Sequence, residues 1–315
     1  MMFVNTTNWI ARRYSVIGLG VMLWVCLLNI GYAATDEEAV LTGAASGTPP
    51  TIGNFALPSP QQPGPLLSFG QTLIGRNVLQ FSANTFSPYR IGGAFDAVNA
   101  SLIYGITDET SLYFNYPLKA DVTTRVHRTS GLLDATLQLE HAFYSSGNAH
   151  YQDQATILGA MTLPLQEPSI PSSSTGYGSP TYFGGATYSR TSVQWFGFVS
   201  PGVLLTTPSQ SIRLGSQVLY QAGIGHNLLA VSQTSILSGL LEVNGQYTGH
   251  DEVFGRSRRN SGGNIVTLTP SMWFSTDQLI VQVGVGFPVA QQLFGNQTKM
   301  DYFVAANISW TPPIS

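Results

Sequence analysis

Val98-Asn99-Ala100-Ser101-Leu102-Ile103-Tyr104-Gly105-Ile106, then Thr107-Asp108-Glu109-Thr110, then Ser111-Leu112-Tyr113-Phe114-Asn115-Tyr116-Pro117-Leu118 is the stretch that decides the fold. On an extended chain Val98, Ala100, Leu102, Tyr104 and Ile106 share one face, while Asn99, Ser101 and Gly105 share the other. Across the polar turn, Leu112, Phe114, Tyr116 and Leu118 oppose Ser111, Tyr113 and Asn115. Successive side chains of a strand point to opposite faces, so this pattern predicts a hairpin with one apolar and one wet face.

The same period runs outward in both directions. Leu79, Phe81 and Ala83 oppose Gln80, Ser82 and Asn84, and Ala135, Leu137 and Leu139 oppose Thr136, Gln138 and Glu140. Further strands are predicted around 155–163, 182–188, 193–200, 212–224, 237–247, 266–274, 281–287 and 302–310. In the 212–224 strand Ile212, Leu214, Val218 and Tyr220 oppose Arg213, Gln217 and Gln221; in the next, Leu241, Val243 and Tyr247 oppose Glu242, Asn244 and Gln246. The total is about 12 strands. Short turns at 107–110, 145–148, 189–192 and 276–278 alternate with longer stretches near 119–133, 166–180, 248–262 and 290–301. An even count, with short turns at one end and long loops at the other, predicts an all-β, closed antiparallel transmembrane barrel with both chain ends on the periplasmic side.

Composition points the same way. Only 9% of residues are charged, against about 25% in an ordinary soluble domain, yet apart from one N-terminal run no apolar stretch approaches the ~20 residues of a membrane helix. A barrel reconciles the two, because alternating strands leave mean hydropathy near neutral. Tyr104, Tyr116, Tyr182, Tyr247 and Tyr302 fall near strand ends, where aromatic girdles sit, and Trp310 closes the last strand on its apolar face. The alternative is a soluble β-sandwich or a ligand-binding barrel with an apolar interior.

At the N-terminus, Arg12-Arg13, the apolar run Val16–Ile30 and Gly31-Tyr32-Ala33 have the order of a secretory signal peptide over 1–33. Its removal takes away Cys26 and leaves eleven basic against 16 acidic residues, a net charge of −5 that gives no sign of nucleic-acid binding. Residues 34–76, rich in Pro, Gly, Ser and Gln, read as a flexible periplasmic lead, with a plug inside the barrel as the other possibility. The barrel proper is expected over 77–315, in the cell outer membrane.

No catalytic constellation stands out among the five histidines, and metal-ligand spacing is absent, so neither an enzyme nor a cofactor or metal site is expected. Glu140 and His141 are chain neighbours whose side chains point to opposite faces. The informative residues are the inward ones. Glu140, Arg213 and Glu242, among Gln138, Gln217, Asn244 and Gln246, are expected to line the lumen, either pairing with one another to fill it or setting the solute preference of a narrow pore. Arg256, Arg258 and Arg259 cluster in a predicted outer loop, either to meet lipopolysaccharide phosphates or simply as a solvated loop.

From about Ile103 to Val289 the chain resembles the outer-membrane β-barrel family of meta-pathway phenol-degradation proteins. Tyr104-Gly105-Ile106-Thr107-Asp108, Tyr116-Pro117, Ser130-Gly131-Leu132-Leu133-Asp134, Met161-Thr162-Leu163-Pro164 and Gly284-Val285-Gly286-Phe287-Pro288 carry the likeness, in that order. Leu133 and Leu165-Gln166 depart from the family pattern. The resemblance implies a barrel near a catabolic pathway, admitting apolar or aromatic molecules. The expected function is a passive channel for small solutes, hydrophobic or aromatic ones among them; the rival is a closed structural or surface-interaction barrel. The partners expected are outer-membrane lipid and lipopolysaccharide, the solutes themselves and the barrel-assembly machinery.

Overall fold

A computed structural model describes residues 51–90, 93–124, 128–131, 133–165, 177–232 and 235–313. The signal-peptide reading, residues 34–50, most of the 166–180 loop and Leu132 lie outside them.

Twelve long strands form the wall. They are β1 (Leu79–Arg90), β2 (Gly93–Thr107), β3 (Thr110–Thr124), β4 (Ala135–Gly147), β5 (Tyr151–Leu163), β6 (Thr181–Ser192), β7 (Trp195–Thr206), β8 (Gln217–Ser232), β9 (Ser235–Thr248), β10 (Gly263–Thr276), β11 (Leu279–Leu293) and β12 (Tyr302–Trp310). Each pairs antiparallel with its chain neighbours, and β1 pairs with β12 from Phe81↔Trp310 to Tyr89↔Tyr302, which closes the cylinder. Closure leaves no unpaired backbone edge, the condition for a strand-built structure to sit in lipid. At 9 to 16 residues, the strands meet or exceed the roughly 9–11 needed to cross the bilayer.

The period-two pattern decides the faces as expected. Phe81, Phe114, Leu139, Ile157, Leu205, Val283 and Ile308 point outward and stand open, an apolar surface far larger than a soluble monomer tolerates. This outward apolar band excludes the soluble alternative. Gln80, Ser111, Gln138, Glu140, Thr156, Ser200, Glu242 and Gln282 are buried inside. Rings mark the two ends: Phe81 stacks on Trp310 near the short-turn end, with centroids 6.1 Å apart, and Tyr89 on Tyr302 near the long-loop end at 4.8 Å.

Glycines thin the wall where rings need space. Gly185 and Gly202 are register partners on β6 and β7, and a Cβ on Gly202 would stand 2.5 Å from the Phe183 ring and 2.8 Å from Phe69. Small residues at this pair let the Phe69 and Phe183 rings pack edge to face close against the inner wall.

Two expectations need correction. The strand predicted over 212–224 begins at Gln217; Ile212–Arg213 is a separate two-residue strand that joins Glu252–Val253 and Arg256–Ser257 in a small three-stranded sheet above the barrel. Residues 51–76, expected as a flexible lead outside the barrel, lie inside it, anchored along their length to inward side chains.

Candidate functional site

The lumen is built by this lead. Its course starts at the short-turn end, where Asn54 N–H donates to the Val193 carbonyl at 2.7 Å and Asn54 Nδ2 to that of Ser192 at 3.0 Å. It crosses to the other side of the mouth, where Gln61 Nε2 donates to Thr311 Oγ1 at 2.7 Å and the Gln61 carbonyl accepts from Ser275 Oγ at 2.7 Å. Thr311, the residue after the closing Trp310, therefore anchors the lead, and it also accepts from Gln80 Nε2 at 3.0 Å.

The lead then rises to mid-barrel, where two buried carboxylates hold it. Glu242, on β9, accepts the Leu66, Leu67 and Ser68 N–H groups at 2.7, 3.3 and 3.1 Å and the Ser68 hydroxyl at 2.8 Å. Glu140, on β4, accepts the Gln71 and Thr72 N–H groups, both at 2.9 Å, the Thr72 hydroxyl, and the Thr156 hydroxyl at 2.7 Å. Both side chains are fully buried. A carboxylate removed from water needs compensating donors, and runs of successive backbone N–H groups form anion-binding nests. Between the two grips, Gly70 and Gln71 adopt φ +83° and +59°, a left-handed turn that swings the chain from one carboxylate to the other. Phe69 N–H donates to Gln221 Oε1 at 3.0 Å, and its ring meets Phe183 edge-on at 4.7 Å. The lead returns to the mouth through Ile74, whose N–H donates to Ser111 Oγ, and Arg76, whose N–H donates to Asp108 Oδ1, both at 2.9 Å. It then enters β1.

Between lead and wall remains a cavity of about 480 Å³. Gln80, Asn84, Gln138 and Gln154 line it with Tyr113 and Trp273, and among the described residues no ionisable carboxyl, guanidinium, ammonium or imidazole group is in its lining. Gln71 Nε2 and Trp273 Nε1, both at its wall, have no protein partner. Amides and hydroxyls supply most of the cavity's polar lining, which favours water inside it.

The expected lumen set divides as follows. Glu140, Glu242, Gln138 and Asn244 face the lead, with the Asn244 amide 2.8 Å from Ser68 Oγ and Gln138 Nε2 donating to Thr72 Oγ1 at 3.2 Å. Gln246, on the same face of β9, donates to Thr248 Oγ1 at 3.3 Å and stays exposed. Gln217 reaches the outer mouth, where its Nε2 donates to the Tyr177 hydroxyl at 3.0 Å. Burial pushes that phenol up to about 12, so it remains a neutral partner. Nearby, burial raises the Asp134 carboxyl above its ordinary range, although the Tyr177, Gly178 and Leu165 N–H groups oppose the shift. Arg213 is not in the lumen. It is exposed in the small outer sheet, across from Glu252, because the chain turns between residues 213 and 217 and the strand parity does not carry through. The carboxylates are thus balanced by backbone donors and not by an arginine.

Glu140 and His141 do diverge: His141 lies outside, its Nδ1 3.0 Å from Thr110 Oγ1. Among the described residues no group of three or more His, Cys, Asp or Glu side chains is placed to hold a metal.

No protein-family model matches the chain, and no curated protein matches it. Among solved structures, the COG4313 outer membrane channel from Pseudomonas putida F1 superposes with a TM-score of 0.60 at 12% identity, over 79% of this chain and 99% of that one. LpxR from Salmonella typhimurium superposes with a TM-score of 0.41 at 8% identity, over 73% and 99%. The CymD monoaromatic hydrocarbon channel gives 0.35 at 11%, over 78% and 90%. The first of these likenesses, with the closed twelve-stranded wall and its outward apolar band, makes the fold that of an outer-membrane β-barrel.

Proposed function

We propose that the protein is a passive outer-membrane channel for small uncharged solutes, in which residues 51–78 narrow the lumen. The observation that carries this reading is the polar cavity of about 480 Å³ whose lining, among the described residues, holds no such ionisable group. Glu140 and Glu242 lie beneath the lead, so the free surface of the cavity consists of amides, hydroxyls, aliphatic groups and a few rings. Such a wall offers no counter-charge to an ion stripped of water, whereas a neutral molecule finds both hydrogen-bond partners and apolar contact. The resemblance to meta-pathway phenol-degradation proteins makes small aromatic molecules the first solutes of interest beyond sugars and amides.

Swelling of proteoliposomes in uncharged solutes of rising size tests the reading. Pentose-sized solutes should enter faster than into protein-free liposomes, and trisaccharides should not. Swelling equal to protein-free liposomes for every solute would favour a closed structural barrel instead.

A further inference from the structure

The outer rim carries a second feature that transport does not use. Val203, Val218 and Tyr247 are register partners on β7, β8 and β9, forming one level row on the lipid-facing wall, and all three are open. Directly above them the chain leaves the wall. Arg213, His250 and Glu252 overhang the row, and together these residues enclose a recess of about 320 Å³.

The overhang is built firmly. Asp251 Oδ1 accepts the Gly215 N–H at 3.0 Å, and the Asp251 carbonyl accepts the Arg258 N–H at 2.8 Å. His250 is fixed by Nδ1 at 3.0 Å from the Arg258 carbonyl and by the Phe294 ring at 4.6 Å. At the tip of the small sheet Phe254 is 78% exposed at φ +51°, a conformation rare for a bulky residue and most often kept at functional sites. Arg256 stands beside it.

Charge is concentrated here. Arg213, Arg256, Arg258 and Arg259 are four of the chain's 13 basic residues, on a chain whose formal net charge is −3. Glu252 and Asp251 offset two of them and leave the rim positive.

We propose that this recess binds a lipopolysaccharide molecule of the outer leaflet through the phosphorylated, acylated sugar at its base. Val203, Val218 and Tyr247 take the acyl chains, Arg213 donates to phosphate, and Glu252, its register partner on the same face, accepts from sugar hydroxyls. Guanidinium groups suit phosphate because their N–H donors form a planar fork. A carboxylate beside them favours a sugar headgroup over a bare phospholipid.

Native mass spectrometry of the full-length detergent-solubilised protein tests this, with bisphosphorylated lipid A, its monophosphoryl form and phosphatidylglycerol as probes. Wild type should retain bisphosphorylated lipid A best, and Arg213→Ala should weaken it by about tenfold, as expected for losing hydrogen bonds to a charged group. Heat-modifiable gel migration checks that the variant is folded. Arg213→Lys, which keeps the charge but loses the planar fork, serves as a second variant and should give a smaller loss in the same direction. Equal retention by wild type and variants would overturn the proposal. So would equal retention of phosphatidylglycerol and lipid A, which would indicate general attraction of anions. Liposome swelling reads the lumen and not this recess, so either reading can fail alone.

Discussion

The Glu242 carboxylate accepts the backbone N–H of Leu66 at 2.7 Å, joining the lead to the barrel wall across 176 residues of sequence. Together with Glu140, this contact decides what remains of the lumen. A barrel without the lead would present two buried acids to water; with it, the free lining is neutral.

Glu242→Gln keeps the shape but replaces one acceptor oxygen with a donor facing N–H groups. The loss is expected to be about 1–3 kcal/mol, seen as an earlier midpoint in urea unfolding from liposomes. The lead should also become cleavable by chymotrypsin between Leu66 and Phe69 while the barrel still migrates as folded. Protection equal to wild type would mean that this grip does not hold the lead.

Gly70→Ala meets two obstacles. Gly70 has φ +83°, and an added Cβ would collide with the Thr187 hydroxyl. Strain of this kind costs about 1–3 kcal/mol, so the same protease assay should show a released lead, with the barrel strands intact.

On the outer wall near the short-turn end, Arg190 forms a two-pronged pair with Asp153, at 2.7 and 2.8 Å, and its guanidinium carbon lies 4.4 Å from the centre of the Tyr151 ring. Asp153→Ala strands the arginine next to lipid, and a loss of about 1–3 kcal/mol is expected. The double change Asp153→Ala/Arg190→Ala should recover part of it. A double variant as unstable as the sum of both single ones would contradict this pairing.

Gln154 borders the neutral cavity. Gln154→Lys adds a fixed positive charge to a lining that has none, so the channel should gain a preference for anions. Reversal potentials under a KCl gradient measure it. No shift relative to wild type would remove Gln154 from the conducting path.

Much of the barrel was legible before its coordinates. Period-two alternation located about twelve strands and, except around 193–200, their faces, and turn spacing located the two ends, because lipid outside and water inside impose opposite chemistry on successive residues. Arg213 was misplaced for the same reason: parity was carried across Leu214-Gly215-Ser216, although Pro208-Ser209 had already marked a loop. The role of the lead was less legible. Its donors are the backbone N–H groups of Leu66, Leu67, Ser68, Gln71 and Thr72, which every sequence but proline possesses. A Pro- and Gly-rich stretch looks the same whether it is free in water or threaded through a lumen. The signal that could have been weighed is the acids themselves: Glu140 and Glu242 face inward against a single expected arginine, and two buried carboxylates need more compensation than one guanidinium supplies.

Single-channel conductance in planar bilayers, comparing wild type with Glu140→Gln/Glu242→Gln, tests the central claim most directly. A lead held in the lumen by these two acids predicts small, steady openings with little ion preference in wild type, and larger, fluctuating openings in the double variant. Identical conductance in the two proteins, or no openings in either, would contradict it.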